Sequence, residues 1–412
     1  MESRKICFYG LFGQQNLGNE CTLQAIIYNV RMYMTGAEVS CICTDPEDTS
    51  ARHTIAAFPI SERGTKWRSA KVWPARNNPL IKLLRRALIH IPMELLQWVK
   101  TFKTLKGIDM LVVTGTGMLG DFGSGHFGAH YEILKWSIIA KVRRSKLLFV
   151  SVGVGPIGRP LSRWLVKAAL SLADYRSYRD NFSKKFLESI GFETYKDPVY
   201  PDLAFSLPRA MMVEFNNQDR QRPVIGLGLM EYYGKPYRQK QGESIYHAYI
   251  SKVATFVIWL IEHKYTVRLF IGDVMYDKHV KEDIIGLLKK SGVKHEEGQI
   301  IDEPVSSVEQ LLLQLAATDI VIATRFHNIL LALILDKPVI SISYHEKIDS
   351  LMAAIGLEEY CQHIEHLDVK RLIEQFLQLE KNAEKLRSHI KHKTEEYRRA
   401  LDEQYISIFN AV

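Results

Sequence analysis

The stretch that decides the fold runs Asp319-Ile320-Val321-Ile322-Ala323-Thr324-Arg325-Phe326-His327-Asn328. A short apolar run between polar residues is typical of a strand buried on both faces of a parallel sheet. In an open α/β sheet, ligands bind at the carboxyl ends of the strands. The stretch therefore brings a fixed cation and a proton carrier to a candidate ligand site. If it stays extended, the side chains of Arg325 and His327 point to the same side.

Strand-like and helical runs alternate on both sides of this stretch. The strand-like runs cover residues 6–11, 38–43, 108–114, 146–152, 175–179, 199–205, 224–229, 266–271, 299–302, 320–324 and 339–343. Near-continuous apolar strands with intervening helices predict parallel sheets covered on both faces. A polar stretch at 215–223 reads as a linker. We predict an α/β protein with two Rossmann-like, doubly wound domains facing a cleft, at residues 1–214 and 222–368, and a long helical region at 369–412.

Composition narrows the class of protein. The chain has 412 residues, 47% of them apolar, and no apolar run approaches the ~18 residues that span a bilayer. The first residues lead straight into a strand-like run, so no signal peptide is expected. The five cysteines are scattered and form no CxxC pair, which fits reduced thiols in the cytoplasm. Residue pairs at zinc-ligand spacing are missing, so no metal site is expected.

The positive charge is concentrated in one segment. The chain carries net charge +8, yet residues 63–106 hold eleven Lys/Arg and only Glu94 as an acid. Such confinement argues against a nucleic-acid binder. Because the segment mixes aliphatic residues and cations with Trp67, Trp73 and Trp98, it suits an anionic membrane surface. The alternative is an ordinary amphipathic insert with a solvated basic face.

Two glycine-bearing turns follow strands in the first half. In the first turn, residues 9–20, the backbone N–H groups at a helix start could hold an anion or a polar ligand. Its glycines are spaced G-x2-G-x4-G, which is not a dinucleotide fingerprint. The alternative is a tight turn with Asn16 or Asn19 capping the helix. In the second turn, residues 114–121, Asp121 could orient a sugar hydroxyl, or it is simply a turn-forming residue.

Three cations follow strands and could bind an anion. Arg179 has a planar guanidinium suited to a carboxylate or a phosphate. The alternatives are a surface pair with Asp180 or a helix cap at Ser183. Arg325 can hold an anion while His327 exchanges a proton near neutral pH, although a histidine at a helix start is often a cap or a packed residue. Lys347 follows the next strand and either reaches the same crevice or is solvated.

In their order along the chain, these motifs resemble the polysaccharide pyruvyl transferase family. The resemblance covers the turn at 10–20, the loop at 115–121, Val150-Ser151-Val152-Gly153-Val154-Gly155-Pro156, Tyr178-Arg179-Asp180 with Ser183, Pro201-Asp202-Leu203-Ala204-Phe205, Arg325-Phe326-His327 and Tyr344-His345-Glu346-Lys347. The chain departs from the family at Asn19, where aspartate is usual, at Thr116, where three glycines usually run together, and at Phe326, where leucine is common. The first two departures concern the acceptor side.

The resemblance implies a glycosyltransferase-B-like (GT-B-like) fold and phosphoenolpyruvate as the donor substrate, with no cofactor. The product would be a pyruvate ketal on a saccharide, either a cell-surface polysaccharide or a lipid-linked precursor, made in the cytoplasm or at the inner face of the membrane. The second domain would take the donor and the first the acceptor. The implied roles are general acid for His327, donor binding for Arg179, Arg325, Phe326 and Lys347, and acceptor binding for Asn16, Asn19, Glu20 and Asp121.

Two other functions are compatible with the same sequence. A nucleotide-sugar-dependent glycosyltransferase could use this fold and would release a nucleotide rather than phosphate. A non-catalytic saccharide-binding assembly protein is conceivable because of Asn19, but the presence of Arg179, Arg325 and His327 argues against it.

Overall fold

The computed structural model describes residues 3–61, 91–121, 127–212, 222–234 and 241–409. The chain divides into two compact units, Met1–Gln14 with Val30–Val199, and Gln15–Asn29 with Tyr200–Val412. Most of the basic segment 63–106, including Trp67 and Trp73, lies outside the described residues, as does nearly all of the polar stretch 215–223.

The first unit is built on a six-stranded sheet with the order β3-β2-β1-β4-β5-β6. Its elements and the helix that leaves β1 are, in chain order, β1 Lys5–Tyr9, α1 Leu17–Tyr33, β2 Glu38–Cys43, α2 Pro46–His53, β3 Ala56–Pro59, α3 Ile91–Thr104, β4 Met110–Thr114, α4 Phe127–Val142, β5 Lys146–Val152, α5 Pro160–Ser171, β6 Tyr175–Tyr178 and α6 Asn181–Ser189. Helix α1 begins in the second unit, to which residues 15–29 belong, and its last residues belong to the first unit.

The second unit repeats the plan with the strand order β12-β11-β10-β7-β8-β9. Its elements are β7 Val224–Leu229, α7 Gly242–Glu262, β8 Thr266–Ile271, α8 Val280–Ser291, β9 Ile300–Asp302, α9 Val308–Ala316, β10 Ile320–Ala323, α10 Phe326–Ile334, β11 Val339–Ser343, α11 Glu346–Ile355, β12 Cys361–His363, α12 Val369–Lys381 and α13 Ala383–Phe409. The predicted α/β class, with two parallel sheets and a C-terminal helical region, is confirmed.

The central strands explain why the sheets are parallel and covered. Every residue of β4, β7, β10 and β11 is buried. The paired strands of both sheets run parallel, for example β10 between β7 and β11. A strand whose side chains are buried on both faces needs helices above and below it, and the crossover helices supply them. The near-continuous apolar runs in the sequence follow from this requirement.

Several helix starts are fixed by their own sequence. Asp45, Asp180, Ser307 and Asp368 each accept a backbone N–H from the first turn of the helix that follows. Such a cap satisfies a donor that the helix leaves unpaired and contributes about 1 kcal/mol. These caps set where α2, α6, α9 and α12 begin, and hence where the loops at the strand ends stop.

The segment after β10 turns into a helix earlier than the extended reading of residues 325–327 assumed. β10 ends at Ala323, Arg325 is the extended residue before the helix, and α10 begins at Phe326. The Ile329 N–H donates to the Arg325 carbonyl at 3.1 Å, which closes the first turn. The extended reading is therefore wrong, because helical winding rather than strand alternation sets the direction of His327.

The C-terminal helix α13 packs on its own unit. It buries Ile390, Leu401 and Tyr405, and the Tyr405 hydroxyl lies 2.9 Å from the Ser206 hydroxyl. Among the described helices, α7 alone is long and apolar enough to cross a membrane by length and composition. Half of its apolar window is buried, and it is the crossover that links the paired strands β7 and β8.

Candidate active site

The guanidinium of Arg325 is bonded to a buried carboxylate. Its Nε donates to Asp277 Oδ2 at 2.8 Å and its Nη2 donates to Asp277 Oδ1 at 2.6 Å. Burial alone would lower the pKa of Arg325, but the Asp277 carboxylate raises it overall, so the charge is permanent. The third nitrogen, Nη1, lies 3.9 Å from Asp273 Oδ2, which is beyond hydrogen-bond distance.

Asp273 links the loop after β8 to the segment that precedes α1. Its Oδ1 accepts the N–H groups of Met275 and Tyr276, and its Oδ2 accepts from Asn16 Nδ2 at 2.9 Å. Burial raises the pKa of Asp273, and the positive charge of Arg325 partly opposes the rise. Asn16 also accepts the Asn19 N–H through Oδ1 at 3.3 Å, so it caps α1, as one alternative for this turn proposed.

His327 lies in the first turn of α10 between a glycine and a carboxylate. A Cβ atom added at Gly18 would be only 2.0 Å from His327 Nδ1, so a residue with a side chain does not fit there without movement. On the other edge of the ring, Nε2 lies 4.0 Å from Asp202 Oδ2. Asp202 is 3% exposed, and its Oδ1 accepts the Ala204 N–H at 3.1 Å. The imidazole of His327 therefore lies near a carboxylate that is largely shielded from solvent.

Aromatic rings hold a second cation at the start of α10. The Lys347 ammonium lies 5.5 Å from the centre of the Phe326 ring and 5.6 Å from the centre of the Tyr344 ring. The Phe326 ring in turn meets the His327 ring edge to face, with centroids 5.1 Å apart. Cation–π contacts of this kind fix the direction of an ammonium group without removing its charge.

The second unit brings together most of the residues that the sequence singled out. Asn16, Asn19, Glu20, Arg325, Phe326, His327 and Lys347 all belong to it. Asn19 donates its backbone N–H to the Asn16 carbonyl at 3.0 Å, and Glu20 is 1% exposed in the first turn of α1. Because Asn16 contacts Asp273 and Gly18 lies against His327, the start of α1 adjoins the Arg325 and His327 neighbourhood.

Arg179 and Asp121 belong to the first unit, where both lie at carboxyl ends of strands. Arg179 Nε lies 3.5 Å from Asp180 Oδ2, and the two side chains are 9% and 14% exposed, so Asp180 is a partner but the pair is largely buried rather than a surface pair. The guanidinium covers Gly153, where an added Cβ would lie 2.2 Å from Nη2. Asp121 Oδ2 accepts the Gly158 N–H at 2.7 Å, so one oxygen of this carboxylate ties two loops together.

Three acids near these residues were not assigned roles from the sequence: Asp202, Asp273 and Asp277. Asp202 stands in the quoted Pro201–Phe205 motif, and Asp273 follows β8 after one glycine, so their positions carried a signal. Asp277 is fully buried and accepts the Glu231 N–H at 3.0 Å as well as two bonds from Arg325. Nothing in its local sequence distinguishes it from a surface acid in a turn. Among the residues described, no group of three or more His, Cys, Asp or Glu could hold a metal ion.

The two parallel-sheet units define a GT-B-like protein with candidate ligand-binding residues at the carboxyl ends of its strands. The family model for polysaccharide pyruvyl transferases matches residues 16–346, which is most of the chain. The chain therefore belongs to the polysaccharide pyruvyl transferase family. It is a transferase enzyme that moves pyruvate onto a polysaccharide. None of the curated proteins compared with the sequence matches it.

Solved structures with the same fold share little sequence with this chain. Anabaena Alr3699/HepE in complex with UDP and glucose is 14% identical with a TM-score of 0.60, and covers 99% of this chain and 100% of its own. MnaA of S. aureus with UDP is 12% identical, with a TM-score of 0.59 and coverages of 99% and 98%. UDP-GlcNAc 2-epimerase of Methanocaldococcus jannaschii is 13% identical, with a TM-score of 0.58 and coverages of 91% and 92%. At these identities the likeness shows the fold alone.

Proposed function

We propose that the donor is phosphoenolpyruvate and that the product is a pyruvate ketal bridging two hydroxyl groups of the acceptor sugar. A proton adds to the methylene carbon of the donor and turns it into a methyl group. One sugar hydroxyl adds to the neighbouring carbon, and the carbon–oxygen bond to phosphate breaks with its electron pair on phosphate. A second hydroxyl then closes the ketal. The two hydroxyl protons balance the proton on the methyl group and the one carried by the released phosphate.

The position of His327 carries this proposal. The enol ether of the donor becomes electrophilic only when its methylene carbon is protonated, and a histidine is the side chain that ordinarily exchanges a proton near neutral pH. His327 lies at the carboxyl end of β10, packed against Gly18 and beside the Asp202 carboxylate. A carboxylate next to an imidazole favours its protonated form. These contacts support the role of general acid.

Three cations are proposed to bind the anionic groups of the donor. Lys347 and Arg325 flank α10, whose N-terminal N–H groups favour negative charge. Arg325 would use Nη1, because Asp277 already takes Nε and Nη2. Arg179 is the third proposed cation, and its side chain is 9% exposed over Gly153. Fixed cations position the donor and stabilise the departing phosphate.

The acceptor is proposed to meet the residues around the start of α1 and the loop after β4. Asn16, Asn19, Glu20 and Asp121 carry amide and carboxylate groups, which hydrogen-bond sugar hydroxyls without requiring charge on the ligand. The substrate class is a saccharide destined for the cell surface, either a polysaccharide or its lipid-linked precursor. Asn19 is proposed to influence which acceptor is bound.

The segment 63–106 is proposed to hold the enzyme at an anionic membrane surface, where a lipid-linked acceptor would be met. Within its described part, α3 exposes six large apolar side chains: Ile91, Met93, Leu95, Leu96, Val99 and Phe102. Residues 91, 95, 99 and 102 form one stripe along the helix. An apolar stripe in a basic segment suits the boundary between lipid head groups and acyl chains. This proposal also implies a peripheral location at the inner face of the membrane.

The proposed chemistry is tested by acceptor-dependent release of phosphate from phosphoenolpyruvate, comparing wild type with His327→Ala. We expect a loss of at least ~100-fold, the lower end for a general acid. A matched control is His392→Ala, because His392 is an exposed histidine of α13 that contacts Glu396. An unchanged rate in His327→Ala would remove this residue from the mechanism.

A nucleotide-sugar-dependent glycosyltransferase is the second candidate, because two structures with this fold hold UDP. The match of residues 16–346 to the polysaccharide pyruvyl transferase family favours pyruvyl transfer over this candidate. The two candidates differ in the leaving group, phosphate against nucleotide.

A further inference from the structure

The loop that follows β7 carries an exposed tyrosine whose ring stacks on a buried tyrosine of α7. Tyr233 is 40% exposed, and its ring stacks on Tyr246 of α7, with centroids 4.9 Å apart and planes inclined by 29°. Tyr246 is 3% exposed, and its hydroxyl donates to Asp283 of α8 at 2.6 Å. Because Tyr246 is buried and hydrogen-bonded, it gives the exposed ring of Tyr233 a fixed surface to stack on.

A glycine keeps Tyr233 in its place against α7. A Cβ atom added at Gly242 would lie 3.1 Å from the Tyr233 carbonyl oxygen and 3.2 Å from its Cβ. The start of α7 therefore approaches Tyr233 more closely than most side chains would permit. Aromatic residues with few rotatable bonds make effective contact surfaces, because little side-chain entropy is lost when a ligand binds.

A carboxylate lies beside the exposed ring. Glu231 Oε2 is 3.4 Å from the Tyr233 hydroxyl, and Glu231 Oε1 accepts the His279 N–H at 2.8 Å. The Glu231 N–H donates to Asp277 Oδ1, and Asp277 binds Arg325. One shared carboxylate thus connects the loop that carries the ring to the arginine of the candidate active site.

A pyranose ring fits this pairing of groups. One face of many hexoses presents C–H bonds, whose positive edges are attracted to the negative face of an aromatic ring. The hydroxyl groups at the rim of the sugar donate to a carboxylate such as Glu231. Among the described residues around the ring, the charged groups Glu231, Asp277 and Asp283 are acidic and Arg325 is bonded to Asp277, which favours a neutral polyol over a polyanion.

We infer that Tyr233 and Glu231 form a subsite that binds an uncharged pyranose ring of the acceptor glycan. This inference rests on the proposed function, since it supplies the part of the acceptor that is held but does not react. Tyr233 acts as the stacking surface and Glu231 as the hydrogen-bond acceptor. Tyr246, Asp283 and Gly242 position the ring.

The test uses saturation-transfer NMR on the full-length protein with lactose, cellobiose and maltose as probes. Wild type and Tyr233→Phe should transfer saturation to the sugar C–H protons of at least one disaccharide. Tyr233→Ala should bind that disaccharide about tenfold more weakly, because the stacking surface is gone. Glu231→Gln should also weaken binding. The control Tyr195→Ala removes a 72% exposed tyrosine from the first unit and should behave as wild type.

Three results would overturn the subsite. They are the absence of a saccharide signal in wild type, equal binding by Tyr233→Ala, and a uracil signal from UDP that depends on Tyr233. The melting temperature with phosphoenolpyruvate is measured on the same variants. If saccharide binding depends on Tyr233 but wild type ignores phosphoenolpyruvate, the subsite stands and the proposed donor is wrong. If wild type responds to phosphoenolpyruvate but its saccharide binding does not depend on Tyr233, the donor stands and the subsite is wrong.

Discussion

Arg325 has two of its three nitrogens bonded to Asp277 before any ligand arrives. A buried pair of this kind is expensive to break from one side, because the remaining charge is left without compensation, at a cost of about 3–5 kcal/mol. Asp277 therefore fixes the position of Arg325 as a rigid cation with one free edge. The same residue type at a solvated position would bind an anion through its whole fork.

At the same scale, Asp202 is predicted to tune the proton of His327. We expect Asp202→Asn to lose activity progressively as pH rises and to approach wild-type activity at low pH. The carboxylate 4.0 Å from His327 Nε2 favours the protonated ring, so without it the proton is lost at lower pH. The measurement is the pH dependence of the rate of phosphate release from phosphoenolpyruvate. In Asp202→Asn, the alkaline limb of this profile should move to lower pH.

Asparagine is the informative replacement at this position, because it keeps an oxygen to accept the Ala204 N–H that Asp202 now binds. A purely structural role would lower the activity by the same factor at every pH and reduce the melting temperature. Either a parallel loss across the pH range or an unmoved alkaline limb would contradict the prediction.

How far single residues could be read from the sequence depends on where their partners lie. Arg325, His327 and Lys347 follow neighbouring strands β10 and β11, and parallel strand ends meet at one edge of the sheet. Their proximity was therefore predictable. Asp277 comes about fifty residues earlier in the chain, and its burial against Arg325 results from the folding of the loop after β8. No local sequence pattern predicts such a contact.

Among elements, most strands were predictable, but one strand and one helix start were misread. The run 199–205, predicted as a strand, makes only an isolated bridge at Val199 and then forms a 3-10 helix at Leu203–Ser206. Residues 320–323 form the expected strand because four consecutive apolar residues suit a position between two layers of helices. The turn into α10 came at Phe326, and Arg325 makes no side-chain cap that would mark it. Helices with a capping Asp or Ser, such as α6 and α9, carry their start in the sequence.

The exposed stripe on α3 leads to a prediction about this element. Wild type should float with vesicles that contain phosphatidylglycerol, and Leu95→Gln with Leu96→Gln should reduce the bound fraction at least ~10-fold, because each buried leucine contributes about 1.5–3 kcal/mol. Both leucines are about 60% exposed, so the double substitution should leave the melting temperature nearly unchanged.

Leu161→Gln on α5 is the matched control, since Leu161 is an exposed leucine of the first unit outside the basic segment. It should float as wild type does. Neutral phosphatidylcholine vesicles should recruit less protein than anionic ones. Flotation that is absent in wild type, or that is equal in the double variant, would rule out α3 as a membrane-contacting element.

At the scale of the whole molecule, binding of the correct donor should raise the free energy of unfolding. A ligand that binds only the folded state at about a hundred times its Kd stabilises the protein by about 2.7 kcal/mol. We expect phosphoenolpyruvate to raise the melting temperature by several degrees and UDP to leave it unchanged. The measurement is a thermal unfolding scan of wild type with each ligand in turn.

A mixture of pyruvate and inorganic phosphate is the control, because it supplies the same anionic groups without the bond that joins them. It should stabilise less than phosphoenolpyruvate. Stabilisation by UDP together with no response to phosphoenolpyruvate would favour the nucleotide-sugar alternative and contradict the proposed donor.

The sequence by itself determined the class of the protein. Apolar runs at regular spacing require parallel sheets covered by helices, and the ordered motifs from the turn at 10–20 to Lys347 identify the family. Tertiary structure alone decided the setting of the reactive groups. Asp277 locks Arg325, Gly18 and Asp202 flank His327, and Tyr246 supports Tyr233. The spacing of apolar residues in the sequence indicates which side chains are buried. Which partner a buried side chain contacts depends on how loops that are distant in the sequence come together at the strand ends.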